Sequence, residues 1–158
     1  MPSLRPSFSL ASGDEWIDKS NWLKFTVSWC DWYGVTCIEN SKLIEDIALH
    51  SNNMQGIIPA SISNLSSLNR LVLSYNSLTG TIPTEIGLLS NLEYLLLNMN
   101  SLIGTIPTDV GLLSNLSSLW LQDNNQMSGM IPVEVCNLMN NGSLQEVYIS
   151  DTDIKNNC

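Results

Sequence analysis

A chain of 158 residues, 44% apolar and 13% charged, is long enough for one domain with a real core and too apolar for a disordered segment. Fifteen acids against six bases, a net charge of -9, exclude a nucleic-acid binder, which needs clustered Lys and Arg to displace counterions from phosphates. No run of 18 or more apolar residues is present, so no transmembrane helix is expected.

The first residues, Met1 to Ala11, lack the continuous apolar stretch of a signal peptide, and 1–12 are expected to be a disordered or truncated segment. Residues 13–43 hold Trp16, Trp22, Trp29 and Trp32 together with Cys30 and Cys37. The other two cysteines, Cys136 and Cys158, stand near the far end. Their spacing does not suit a zinc site, which wants close Cys pairs with further Cys or His nearby. Of the three pairings that four cysteines allow, one disulfide per end is the natural one, Cys30 with Cys37 and Cys136 with Cys158. On the loop-entropy model these contribute roughly 2.5 and 3.5 kcal/mol. Four reduced, buried thiols are the alternative. Paired cysteines imply an oxidising, extracellular or cell-surface location. Three N-x-S/T acceptors, at Asn64, Asn115 and Asn141, are candidate glycosylation sites and lean the same way.

From Ile44 onward the chain repeats. Gly56-Ile57-Ile58-Pro59, Gly80-Thr81-Ile82-Pro83, Gly104-Thr105-Ile106-Pro107 and Gly129-Met130-Ile131-Pro132 follow one another at spacings of 24, 24 and 25. Ahead of each glycine runs an apolar ladder, such as Leu68-x-x-Leu71-x-Leu73-x-x-Asn76-x-Leu78. In L-x-L the two leucines share one face of a short strand and the residue between them faces the other way. The recurrent Asn52, Asn76, Asn100 and Asn124 sit where the chain leaves the strand, placed to bond exposed backbone groups coil after coil. After each proline, pairs such as Ile86 and Leu89 at a spacing of three predict a 3-10 turn. No coil can bury its own apolar side, so five copies must stack, and the two open ends need caps. The predicted organisation is a cap at 13–43, four repeats at 44–143, and a last partial repeat with a C-terminal cap at 144–158. The cap tryptophans are expected to fill the lid over the apolar stack.

The unit L-x-x-L-x-L-x-x-N-x-L-x-G-x-I-P resembles the plant-type leucine-rich repeat. Trp29-Cys30-Asp31-Trp32-Tyr33-Gly34-Val35-Thr36-Cys37 resembles the N-terminal cap of that family, whose two cysteines are bridged; Gly13 to Trp16 and Asn21 to Leu23 look like its earlier part. The near-identical segments Ile82 to Leu92 and Ile106 to Leu116 also resemble repeats of diatom leucine-rich repeat proteins. The resemblance implies an α/β fold: a right-handed solenoid with a concave parallel β-sheet, convex 3-10 or irregular coils and a cap at each end. It implies a binder rather than an enzyme, as in receptor ectodomains, hydrolase inhibitors such as the polygalacturonase-inhibiting proteins, or adhesion proteins.

In that frame the residues flanking L-x-L form columns on the concave face. The central one is Ala48, Val72, Leu96, Trp120, Tyr148. Its neighbours are Asp46, Arg70, Tyr94, Ser118, Glu146 on one side and His50, Ser74, Asn98, Gln122, Ser150 on the other, with Ser51, Tyr75, Met99, Asp123, Asp151 one further out. The candidate ligand-binding residues are Arg70, Val72, Tyr75, Tyr94, Leu96, Met99, Trp120, Gln122, Asp123 and Tyr148. Aromatic anchors inside a polar rim are what binding hot spots are made of, and the surrounding acids predict a neutral or basic protein or peptide partner, or a glycan. Catalysis has little support: His50 has no nucleophile signature beside it, and adjacent carboxylates such as Glu45 and Asp46 point to opposite faces of a strand. No cofactor or metal motif is present. Inhibition of a secreted hydrolase, or a structural, adhesion or ice-ordering surface built on Thr79, Thr81 and Thr105, are the rival functions.

Overall fold

The computed structural model describes residues 17, 18, 20 and 28–158. The expected segment 1–12 and the cap residues Trp16 and Trp22 lie outside the described residues. Among the described residues the chain forms eleven short strands: β1 (Val35–Cys37), β2 (Ile44–Ala48), β3 (Gln55–Ile57), β4 (Arg70–Val72), β5 (Ser77–Thr79), β6 (Tyr94–Leu96), β7 (Ile103–Gly104), β8 (Ser118–Trp120), β9 (Gln126–Met130), β10 (Glu146–Tyr148) and β11 (Asp153–Lys155). The main sheet runs β1-β2-β4-β6-β8-β10. From β2 to β10 it is parallel, in the register that the sequence columns predict: Ala48 opposite Val72, Val72 opposite Leu96, Leu96 opposite Trp120, Trp120 opposite Tyr148.

The inward leucines stack from coil to coil. Ile47, Leu71, Leu95 and Leu119 form one buried column and Leu49, Leu73, Leu97 and Leu121 the next. Prolines 59, 83 and 107 each hold an extended φ before a 3-10 turn, Ala60–Asn64, Thr84–Leu88 and Thr108–Leu112, that buries Ile62, Ile86 or Val110. Leu89 is buried beside Ile86, as their spacing predicts.

The asparagine ladder takes the predicted form. Asn76 donates from Nδ2 to the carbonyls of Leu49 in the previous coil (2.8 Å) and Leu73 in its own (2.9 Å), and its Oδ1 accepts from the backbone N–H of Asn52 and Met54. Asn100 and Asn124 repeat the pattern one and two coils on. Asn52, first in the row, donates to the Asp18 carbonyl and accepts from the Asp18 N–H, tying the N-terminal segment to the stack. Hydrogen bonds from Ser20 hold the Asp18 carboxyl below the usual carboxylate range. A second, shorter ladder lies on the turns outside the sheet, where Asn91 and Asn115 each donate to a serine carbonyl of the preceding coil, Ser66 and Ser90, at 2.8 Å.

Three features differ from the sequence-based expectation. First, β1 joins the sheet antiparallel to β2, because residues 38–43 are too short for the crossover a parallel neighbour needs. Second, the coils opposite the main sheet are not only 3-10 or irregular: β3 pairs with β5, and β11, β9 and β7 form a further parallel set. Third, the last coil folds as an α-helix, α1 (Val133–Asn140), where the earlier ones have 3-10 turns. The extra residues between Cys136 and Leu144 give it room for a second turn, and α1 buries Val135, Cys136 and Leu138 over the end of the core.

Both ends are stapled. Cys30 is bonded to Cys37 (Cα–Cα 5.5 Å) and Cys136 to Cys158 (Cα–Cα 5.3 Å). The first closes the cap beside Trp29, whose indole N–H donates to the Lys42 carbonyl at 2.8 Å. The second ties α1 to the last residues. Replacing Cys136 and Cys158 by serine is expected to lower the unfolding free energy by about 3 kcal/mol, because a 22-residue loop is released in the unfolded chain. Urea unfolding of variant and parent checks the size, and thiol titration of the denatured, unreduced parent should find no reactive cysteine.

Candidate binding face

The outward side chains of β2, β4, β6, β8 and β10 form a side-chain surface on the main sheet. Its edge is set by the residue three positions past the end of each strand. Ser51, Tyr75, Met99, Asp123 and Asp151 all have left-handed backbone, φ between 52 and 60°. None is a glycine, and a left-handed L-residue costs about 1–2 kcal/mol. The coil-to-coil bonding offsets it: the N–H groups of Ser51, Tyr75, Met99 and Asp123 each donate at 3.0 Å to the next coil, to the carbonyls of Ser74, Asn98, Gln122 and Ser150. Nothing in a Tyr or Met residue signals such a conformation, so the sequence could not show it.

The candidate residues divide into three sets. Arg70, Tyr75, Tyr94, Met99 and Tyr148 are exposed, with Tyr75 at 56% and Tyr148 at 48%. Leu96, Trp120, Gln122 and Asp123 are half-buried. Val72 is buried and offers a ligand little surface. Its neighbours Ser74 and Asn98 are buried as well and bond each other, Oγ to Oδ1 at 2.6 Å, so that part of the face is a support.

Two clusters stand out. In the N-terminal half, Arg70 lies 3.6 Å from Asp46 and holds its guanidinium over the Tyr94 ring, 5.6 Å from the centroid. In the C-terminal half, Trp120 and Tyr148 meet edge to face, centroids 5.3 Å apart and planes at 85°. Glu146 locks this pair: its Oε2 accepts from the Trp120 indole N–H (3.2 Å) and from the Ser118 hydroxyl (2.9 Å). In the sequence Glu146 and Ser118 stand only as members of one column, neither among the candidate binding residues. Their shared column was the available signal. Gln122 adds a buried amide oxygen with no hydrogen-bond partner.

The candidate glycosylation residues Asn64, Asn115 and Asn141 are exposed, all outside the main sheet: Asn64 ends a 3-10 turn, Asn115 belongs to the second ladder and Asn141 follows α1. Among the described residues no helix is long and apolar enough to cross a membrane.

Short parallel strands at a fixed period, an asparagine ladder, 3-10 turns and capped ends define a repeat solenoid that presents a side-chain face. The chain belongs to the leucine-rich repeat family, in its plant type. The family's sequence model, described as leucine rich repeat, matches residues 42–102. The structure is similar to the BIR2 ectodomain from Arabidopsis thaliana, with TM-score 0.75 and 34% identity over 90% of this chain and 77% of that one. It is similar to a chain of the BIR3–SERK2 complex from the same plant, with TM-score 0.76 and 33% identity over 90% of this chain and 78% of that one. A plant ice-binding protein shares 29% identity with TM-score 0.67, over 82% of this chain and 49% of its own. Among curated proteins nothing matches the sequence.

Proposed function

We propose that the chain is a non-enzymatic recognition module that binds a protein or extended peptide across its main sheet, outside the cytoplasm. The observation that carries this is the aromatic surface itself. Tyr94 stands in the column beside that of Trp120 and Tyr148, Tyr75 and Met99 stand two columns over on the other side, and Trp120 and Tyr148 are held by their own contacts before any partner arrives. Rigid, part-exposed aromatic side chains lose little entropy on binding and bury much apolar area, which makes them efficient anchors. Asp46, Glu93, Asp123, Glu146 and Asp151 around them favour a neutral or basic partner. The fit of BIR3 into a protein complex and the two disulfides support the same class of function and location.

A library of random linear peptides displayed on phage tests this. Peptides enriched on the intact, disulfide-bonded chain are expected to bind the Trp120→Ala, Tyr148→Ala double variant at least about tenfold more weakly, the usual cost of losing central aromatic anchors. Equal binding to a double variant that keeps its circular dichroism spectrum would refute the sheet as the binding surface.

A second reading has its own observation. Thr79, Thr81 and Thr105 are exposed on the other side of the coil, and a plant ice-binding protein shares the fold. Ile57 and Met130 interrupt the threonine row at its ends, and an ice recrystallisation assay decides the matter.

A further inference from the structure

We propose that the C-terminal half of the main sheet is a socket for one arginine side chain of the partner, formed by Glu146, Trp120 and Tyr148. This rests on the sheet being the binding surface and adds which chemical group enters it.

The fold already builds such a unit once from its own residues. Arg70 sits between an acid on one neighbouring strand, Asp46, and an aromatic ring on the other, Tyr94. A guanidinium suits that place because its plane stacks on a ring while its edge meets a carboxylate. Further along the sheet the acid and the rings recur without the cation. Glu146 touches Trp120, Trp120 touches Tyr148, and no basic side chain among the described residues pairs with Glu146.

The carboxylate is prepared for a cation. Both of its donors, the Ser118 hydroxyl and the Trp120 indole, are neutral, so Glu146 is oriented without being neutralised. Both bonds reach the same oxygen, Oε2, and among the described residues nothing donates to Oε1. Ser118 is only 3% exposed, which fixes one end of the arrangement inside the protein. Because Trp120 and Tyr148 stand at 85°, an entering side chain meets the face of one ring beside the edge of the other. A neutral side chain would leave the oriented charge unpaired, and a lysine would supply the charge without the stacking plane.

The test follows the Trp120 indole N–H by NMR in the intact, disulfide-bonded chain, titrated with N-acetyl-arginine amide and with its neutral isostere, N-acetyl-citrulline amide. Arginine is expected to give a saturable shift, with citrulline at least about tenfold weaker. Glu146→Gln keeps an amide oxygen that can still accept from Ser118 and Trp120, so the fold is retained while the charge goes; it should bring the arginine response down to that of citrulline. Equal responses to the two compounds, an unchanged response in Glu146→Gln, or no saturable arginine response would each overturn the socket. Phage peptides that need Trp120 and Tyr148 yet carry no basic residue would overturn the socket and leave the binding face standing. Peptides indifferent to Trp120 and Tyr148 would overturn the face itself.

Discussion

Asn124→Ala is expected to destabilise the protein by about 4 kcal/mol. Asn124 has no exposed surface, and its amide serves three backbone groups: the carbonyls of Leu97 (3.1 Å) and Leu121 (2.9 Å) accept from Nδ2, and the Leu102 N–H donates to Oδ1 (3.0 Å). Alanine removes all three partners and supplies none. A buried polar group left unpaired costs about 1–3 kcal/mol, so the total exceeds the loss from a typical leucine-to-valine-sized change in the core. Asn91→Ala is the internal comparison. It removes one bond to the Ser66 carbonyl at an exposed position, and about 1 kcal/mol is expected. Urea unfolding of both variants measures the contrast. Equal, small effects would mean that the ladder contributes little beyond what water supplies.

Gly111→Ala is expected to cost about 3 kcal/mol or more, through overpacking. A Cβ on Gly111 would run into the Cβ of Glu134 in α1, with the Glu134 carbonyl carbon at 2.7 Å and its oxygen at 2.9 Å. Backbone atoms cannot turn aside as the tip of a side chain can, so α1 would have to move away from the preceding coil. Gly87 is in the same position against Asp109, one coil earlier. Thermal and urea unfolding of Gly111→Ala measures the loss. A cost below about 1 kcal/mol would show that the coils can separate cheaply, contrary to the packing of Ile86 and Val110 beneath them.

Gly87 and Gly111 also show where sequence reasoning stops. They stand at matching places in the near-identical segments Ile82 to Leu92 and Ile106 to Leu116, so their recurrence was in plain view. Their reason was not. Glycine inside a turn reads as backbone freedom, whereas here the missing side chain makes room for the next coil. The glycines ahead of Ile-Pro are the more familiar case: Gly104, at the end of β7, has φ of 81°, a left-handed conformation that glycine adopts without steric cost. The left-handed column at Tyr75 and Met99 was hidden for the opposite reason, because those residue types avoid the conformation and adopt it only when the coil-to-coil bonds hold it.

The site divides in the same way. The columns were legible, and the register of the strands matches them. The contacts within the face were not. Arg70 was visible as one base among acids, without its placement on Tyr94 and Asp46. Glu146 was visible as an acid, without its hold on Trp120. Val72 fell in the central column and turns out to be buried.

The repeat, the inward leucines, the asparagine ladder, the 3-10 turns and the column of each outward residue are all written in the order of the amino acids. In a stack each coil meets near-copies of itself, so a period read along the chain is also a register across it. The antiparallel β1, the helix α1, the close spacing that demands Gly87 and Gly111, and the partners of Arg70 and Glu146 emerge from packing in three dimensions. Those depend on side-chain direction and on neighbours that differ from coil to coil, and a repeating pattern carries no record of what departs from it.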